Sequence, residues 1–154
     1  MKDNLFSALI GVIIWAIIII AVCVFFLYQA FWIGPVMVIL AILILLSIKL
    51  FHSGHHGSTP DILFGAIDNG VLVIFAIIGL NLFGPLGAVI GGAVGNAVSD
   101  GFAGVFEGHI SQKHKKTKYH RDRSSIRASF GKMAGCLLGS GIVLIIARLI
   151  MVIV

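Results

Sequence analysis

Apolar residues run almost unbroken through five stretches of the chain, about 5–28, 35–50, 60–82, 86–109 and 126–154, parted by short polar or glycine-proline segments. About 20 apolar residues of α-helix cross a hydrocarbon core of about 30 Å, so the pattern predicts helices that span a bilayer or come close to it. The first run is too long for a signal-peptide core and ends in Phe-Phe-Leu-Tyr rather than at a small-residue cleavage site, so it is read as a helix. Between the first two runs, QAFWIGP holds Gly34 and Pro35 to break the helix, with Tyr28 and Trp32 suited to an interface. Ser58-Thr59-Pro60-Asp61 reads as a helix start with a capping hydroxyl and a first-turn proline. Asn81 to Pro85 reads as a tight turn, which makes the third and fourth helices antiparallel neighbours.

Composition sharpens this picture. With 154 residues, 59% of them hydrophobic and only 11% charged, the sequence predicts an all-α integral membrane protein forming one helical bundle. Seven of the eleven Lys and Arg residues lie between Lys113 and Arg127, among them Lys115, Lys116, Lys118, Arg121 and Arg123. Basic loops favour the cytoplasmic side, so loop 111–125 is placed there, and alternation puts the N-terminus, Lys2, Lys49 and the histidine loop on the same side. Arg148, near the far end of the last helix, can snorkel to the opposite interface. The net charge of +5 is thus assigned to anionic headgroups or a partner at the membrane surface and not to nucleic acid. Cys23 and Cys136 sit in separate apolar runs and are read as packing residues. A His-Ser-Gly-His-His loop, with His52, His55 and His56, falls short of a tetrahedral metal set and reads as solvated.

Candidate chemistry concentrates in the third and fourth helices, which hold four of the six acidic residues: Asp61, Asp68, Asp100 and Glu107. A charged side chain at mid-membrane costs about 2.5–3.5 kcal/mol on insertion scales, and its usual reason is an ion path. At about 100° per residue, Asn96, Asp100 and Glu107 fall within about 40° of one another and make one polar stripe. Asp61 and Asp68 share a face of the third helix, with Asn69 beside them. Asp68 and Asp100 lie deep and are expected to meet, while Asp61 and Glu107 flank the cytoplasmic side. The bland readings are a dipole-favoured first-turn residue for Asp61, an interfacial residue for Glu107, interhelical glue for Asn69 and Asn96, and protonated, backbone-bonded acids for Asp68 and Asp100. Gly87, Gly91, Gly95 and Ser99 repeat every fourth residue, as do Gly131, Gly135 and Gly139, and small residues at that spacing let helices approach closely. On the fourth helix, Gly87 and Gly91 are nearly opposite the acidic stripe, so one face is expected to pack while the other serves an ion.

The segment Asp61-Ile-Leu-Phe-Gly-Ala-Ile-Asp68-Asn-Gly resembles the first-helix signature of the vacuolar iron transporter family. The small-residue-rich stretch from Gly87 through Ser99-Asp100-Gly is similar to that family's second helix. The resemblance covers 61–109, about a third of the chain. It implies a homodimer that exchanges a divalent metal for protons between subunits, with Asp68 at the place of an embedded metal-binding aspartate and Asp100 at that of a metal-binding methionine. This sequence departs from the pattern where Asn69 follows the second aspartate, where a carboxylate replaces the methionine, and where two further helices precede the matching part. Carboxylate and amide oxygens in place of a thioether suit Mg²⁺ or Mn²⁺ as well as Fe²⁺.

The expected function is therefore transport or conduction of a divalent cation (Fe, Mn or Mg) by a homodimer in the cell membrane, with Asp68, Asp100, Asn96, Asn69, Asp61 and Glu107 as its metal-ligating set. The alternative is a non-transporting membrane scaffold whose basic loop, Lys113 to Arg123, binds lipid or a partner. An enzyme is not expected, because Ser99-Asp100 and Glu107-Gly-His109 lack a paired general base in any recognisable order.

Overall fold

A computed structural model of the chain describes residues 5–26, 31–51, 59–114 and 125–153. All of these but the turn residues Phe31 and Trp32 lie in four helices: α1 Leu5–Phe26, α2 Ile33–Phe51, α3 Thr59–His114 and α4 Ser125–Ile153. Each is long and apolar enough to cross a membrane. The expected histidine loop and the basic residues Lys115, Lys116, Lys118, Arg121 and Arg123 lie outside the described residues.

The helix boundaries follow from local chemistry. α2 begins at Ile33, two residues before the expected start at Pro35, and Pro35 fits in its first turn because a first-turn residue has no intrahelical acceptor for its N–H, so proline loses nothing there. Asp61 sits in the first turn of α3, where a carboxylate complements the exposed N–H groups. The helices expected over 60–82 and 86–109 form one element, α3, interrupted where Phe83 (φ −135°, ψ 17°) and Gly84 (φ 66°, ψ −154°) leave helical geometry. Gly84 holds a backbone conformation open to glycine almost alone, and Pro85 follows it to start the second limb. The backbone stays helical past His109 to His114, since Ser-Gln-Lys-His carries no helix breaker.

At Phe83–Gly84 the chain reverses. A Cβ on Gly87 would meet the carbonyl oxygen of Gly79 at 2.1 Å, one on Gly91 that of Phe75 at 2.2 Å, and one on Gly95 the Leu72 backbone at 3.0 Å. The two limbs of α3 are therefore an antiparallel hairpin zipped by the stripe Gly87, Gly91, Gly95 and Ser99, as the fourfold spacing predicts. α4 packs on the first limb by the same means: Cβ atoms on Gly135 and Gly139 would lie 2.1 and 2.0 Å from the carbonyl oxygens of Ile62 and Ala66. The constant offset of these pairs makes α4 and the first limb parallel. The Gly34–Gly141 contact and its neighbour Val38 set α2 antiparallel to α4, and Gly11 meets Phe130 where α1 joins. These relative directions are the ones that alternating passage through a layer requires.

The fully buried apolar core is small and lies around α4: Ala8 from α1, Leu40, Ala41, Ile44 and Ile48 from α2, and Ile126, Phe130, Ala134 and Leu137 from α4. Elsewhere large apolar side chains face outward on all four helices, from Phe6 and Ile17 to Val89, Phe102 and Ile150. So much exposed apolar area is compatible with a membrane protein.

Candidate functional site

The second limb of α3 carries polar groups on two neighbouring faces, Ser99 and Asp100 standing about 100° apart round the helix. On the face turned to the first limb, Ser99 continues the glycine stripe, and its Oγ meets Asp68 Oδ1 in a short hydrogen bond. Both residues are buried, at 5% and 8% exposure. The same Ser99 Oγ lies 3.0 Å from the carbonyl oxygen of Asn96. A hydroxyl has one proton, so it cannot donate to both acceptors at once.

On the neighbouring face, Asn96 Nδ2 donates to Asp100 Oδ2 at 3.0 Å, and Asp100 is exposed. Around this pair the surface is made of small residues, with Ala93, Ala97 and Gly101 all exposed and, by helical geometry, on the same side. A Cβ on Gly101 would meet nothing within 4 Å.

The expected meeting of Asp68 and Asp100 does not occur. The glycine stripe wins the contact with the first limb because it allows backbone-to-backbone approach, and this leaves Asp100 about 100° round the helix from Ser99. Asp68 reaches only the stripe face, where Ser99 takes it up, while Asp100 looks outward. The remaining expected ligands are dispersed. The half-buried Asn69 side chain lies against the Cys136 thiol of α4. Asp61 is buried at 8% exposure, with its carboxyl engaged. Glu107 and Lys113 lie on helical backbone of α3, and their side chains fall outside the description. Among the described residues no three His, Cys, Asp or Glu side chains gather as a metal cluster. A complete ion cage is therefore not formed by these residues of a single chain.

Three residues carry more than their sequence context indicates. Ser99 had a readable signal, being the fourth member of the small-residue period. Lys132 lies in the second turn of α4, exposed, with its ammonium 4.5 Å from the centroid of the Phe64 ring. Cys136, a free thiol, stands at the α3–α4 contact, its Sγ 3.2 Å from where a Cβ on Gly65 would be. The hydroxyls of Ser47 and Ser140 bond back to the carbonyls of Ile44 and Cys136, each at 2.7 Å, and add nothing to the site. In comparisons with known proteins, the chain matches no family model, no curated protein and no solved structure.

Proposed function

We propose that the chain is a multi-spanning membrane protein that handles a divalent cation as a homodimer, with the ion held where the second limbs of α3 from two copies meet. One observation carries this reading: Asp100, bonded to Asn96, is exposed on the side of an otherwise apolar helix. Facing lipid, such a carboxylate costs about 2.5–3.5 kcal/mol, and a second copy removes that exposure. The surrounding Ala93, Ala97 and Gly101 leave room for close approach, as an interface between lipid-embedded helices requires. A two-fold axis beside Asp100 doubles its ligands. Two carboxylates and two Asn96 amide oxygens then offer up to six oxygen donors, the hard set that Mg²⁺, Mn²⁺ and Fe²⁺ accept. The resemblance of 61–109 to the vacuolar iron transporters favours a homodimer that handles a divalent metal, although it implies Asp68 as a ligand where this reading gives that place to Asp100 alone.

In this mechanism Asp68 is a structural acid, locked against Ser99, and Asp100 is the ion-binding group. The experiment is metal flux into proteoliposomes. Asp100→Asn is expected to lower divalent-cation uptake to near the protein-free rate, while Asp68→Asn, which keeps a polar partner for Ser99, retains transport. Equal uptake by Asp100→Asn and the parent overturns the proposal.

A second reading is favoured by the closed Asp68–Ser99 contact: a non-transporting scaffold in which the Asn96–Asp100 pair only holds subunits together. In that case no metal flux accompanies the parent, and charge removal between Lys113 and Lys118 abolishes function while Asp100→Asn merely loosens assembly.

A further inference from the structure

A groove of about 380 Å³ runs along α4, floored by Ser129, Lys132, Met133, Cys136 and Leu137 and walled on one side by Ile19 of α1. We infer that this groove binds one anionic phospholipid, with an acyl chain along Ile19, Met133 and Leu137 and its phosphate on the exposed Lys132 ammonium at the rim. The inference rests on the chain being a membrane protein and is independent of whether it carries a cation.

Three features select this occupant. Firstly, the exposed lining of the groove is apolar, as an acyl chain requires, and the one cation among its residues, Lys132, stands towards one end. That end is the one nearer the start of α4, and the apolar Leu137 lies towards the other. Secondly, the cation is available. Lys132 is exposed and rests on the Phe64 ring, which covers one side of the ammonium and leaves N–H donors for a phosphate. Among the described residues no salt bridge engages it. A positive charge about 10 Å along an apolar helix needs a counter-anion or a reach back to the headgroup level, and the long lysine stem permits both. Thirdly, the length excludes a partner helix. Ser129 to Leu137 spans about 12 Å of α4, enough for part of an acyl chain and well short of a helix that crosses a bilayer. The basic stretch from Lys113 to Arg127 immediately precedes this end of α4, so anionic lipid is enriched there electrostatically.

The test is native mass spectrometry of the full-length protein released from detergent with phosphatidylglycerol or phosphatidylcholine of matched chains. The parent is expected to retain one tightly held phosphatidylglycerol and to discriminate against phosphatidylcholine. Lys132→Gln should weaken that retention at least about fivefold. Lys132→Arg should preserve it, which separates charge from misfolding, and Arg148→Gln at the far end of α4 should leave it unchanged. A variant with Lys115, Lys116 and Lys118 neutralised should still hold the one lipid. Equal retention of both lipids by the parent, an unaffected Lys132→Gln, loss of the lipid only on neutralising the loop, or its displacement by glycerol phosphate without chains would each overturn the inference.

Discussion

Gly139→Ala puts the packing account under the most direct strain. The added methyl would lie 2.0 Å from the carbonyl oxygen of Ala66, 2.7 Å from its carbonyl carbon and 2.8 Å from its Cα. All three are backbone atoms, so no rotamer change relieves the overlap. Restoring even 3.0 Å requires α4 and the first limb of α3 to part by about 1 Å, which also loosens Gly135 against Ile62 one turn away. Overpacking of this kind costs about 1–3 kcal/mol, and a clash with fixed backbone belongs at the upper end. In lipid, where dispersion contact replaces the hydrophobic drive between helices, the lost approach has little to offset it. Reversible unfolding in mixed SDS micelles, followed by circular dichroism, measures the difference. Gly101→Ala is the control, since its methyl meets nothing within 4 Å. The reasoning fails if Gly139→Ala unfolds within about 0.5 kcal/mol of the parent, the ordinary range of a surface substitution.

Other substitutions test single links. Gly84→Ala meets no steric neighbour, but its φ of 66° with ψ of −154° is strained for any side chain, so a loss of about 1–3 kcal/mol in the same assay is expected. Ser99→Ala leaves Asp68 Oδ1 buried without its hydroxyl and should cost about 1–3 kcal/mol, whereas Asp68→Asn, which still bonds Ser99, should cost less than half of that. Gly101→Ala, neutral for the monomer, should weaken the proposed dimer, seen as a shift to monomer in detergent by sedimentation.

Much of the fold is legible in the sequence because apolar runs of span length leave few alternatives. The break before Pro85 is legible too, since glycine and proline together at one point force the chain out of a helix. Helix ends were less so: the start of α2 at Ile33 and the helical continuation to His114 turn on first-turn proline and on polar residues that pattern alone does not assign. In the candidate site, the helical period correctly grouped Asn96 with Asp100, but depth alone suggested that Asp68 would join them. The face of closest approach decides that question, and it is set by Gly87, Gly91, Gly95 and Ser99, a stripe that starts nearly opposite the acids and ends about 100° from Asp100. Lys132 was hidden inside an apolar run; only its place over Phe64 and beside the groove of α4 gives it a role.

The central claim is that Asp100 from two copies faces a shared cation. A crystal structure of the protein grown from a lipidic phase with Mn²⁺, with anomalous diffraction recorded near the manganese edge, tests it most directly. An anomalous peak on a two-fold axis between paired Asp100 carboxylates, with Asn96 adjacent, is the predicted result. A chain whose Asp100 faces lipid or another protein surface, with no metal beside it, contradicts the account.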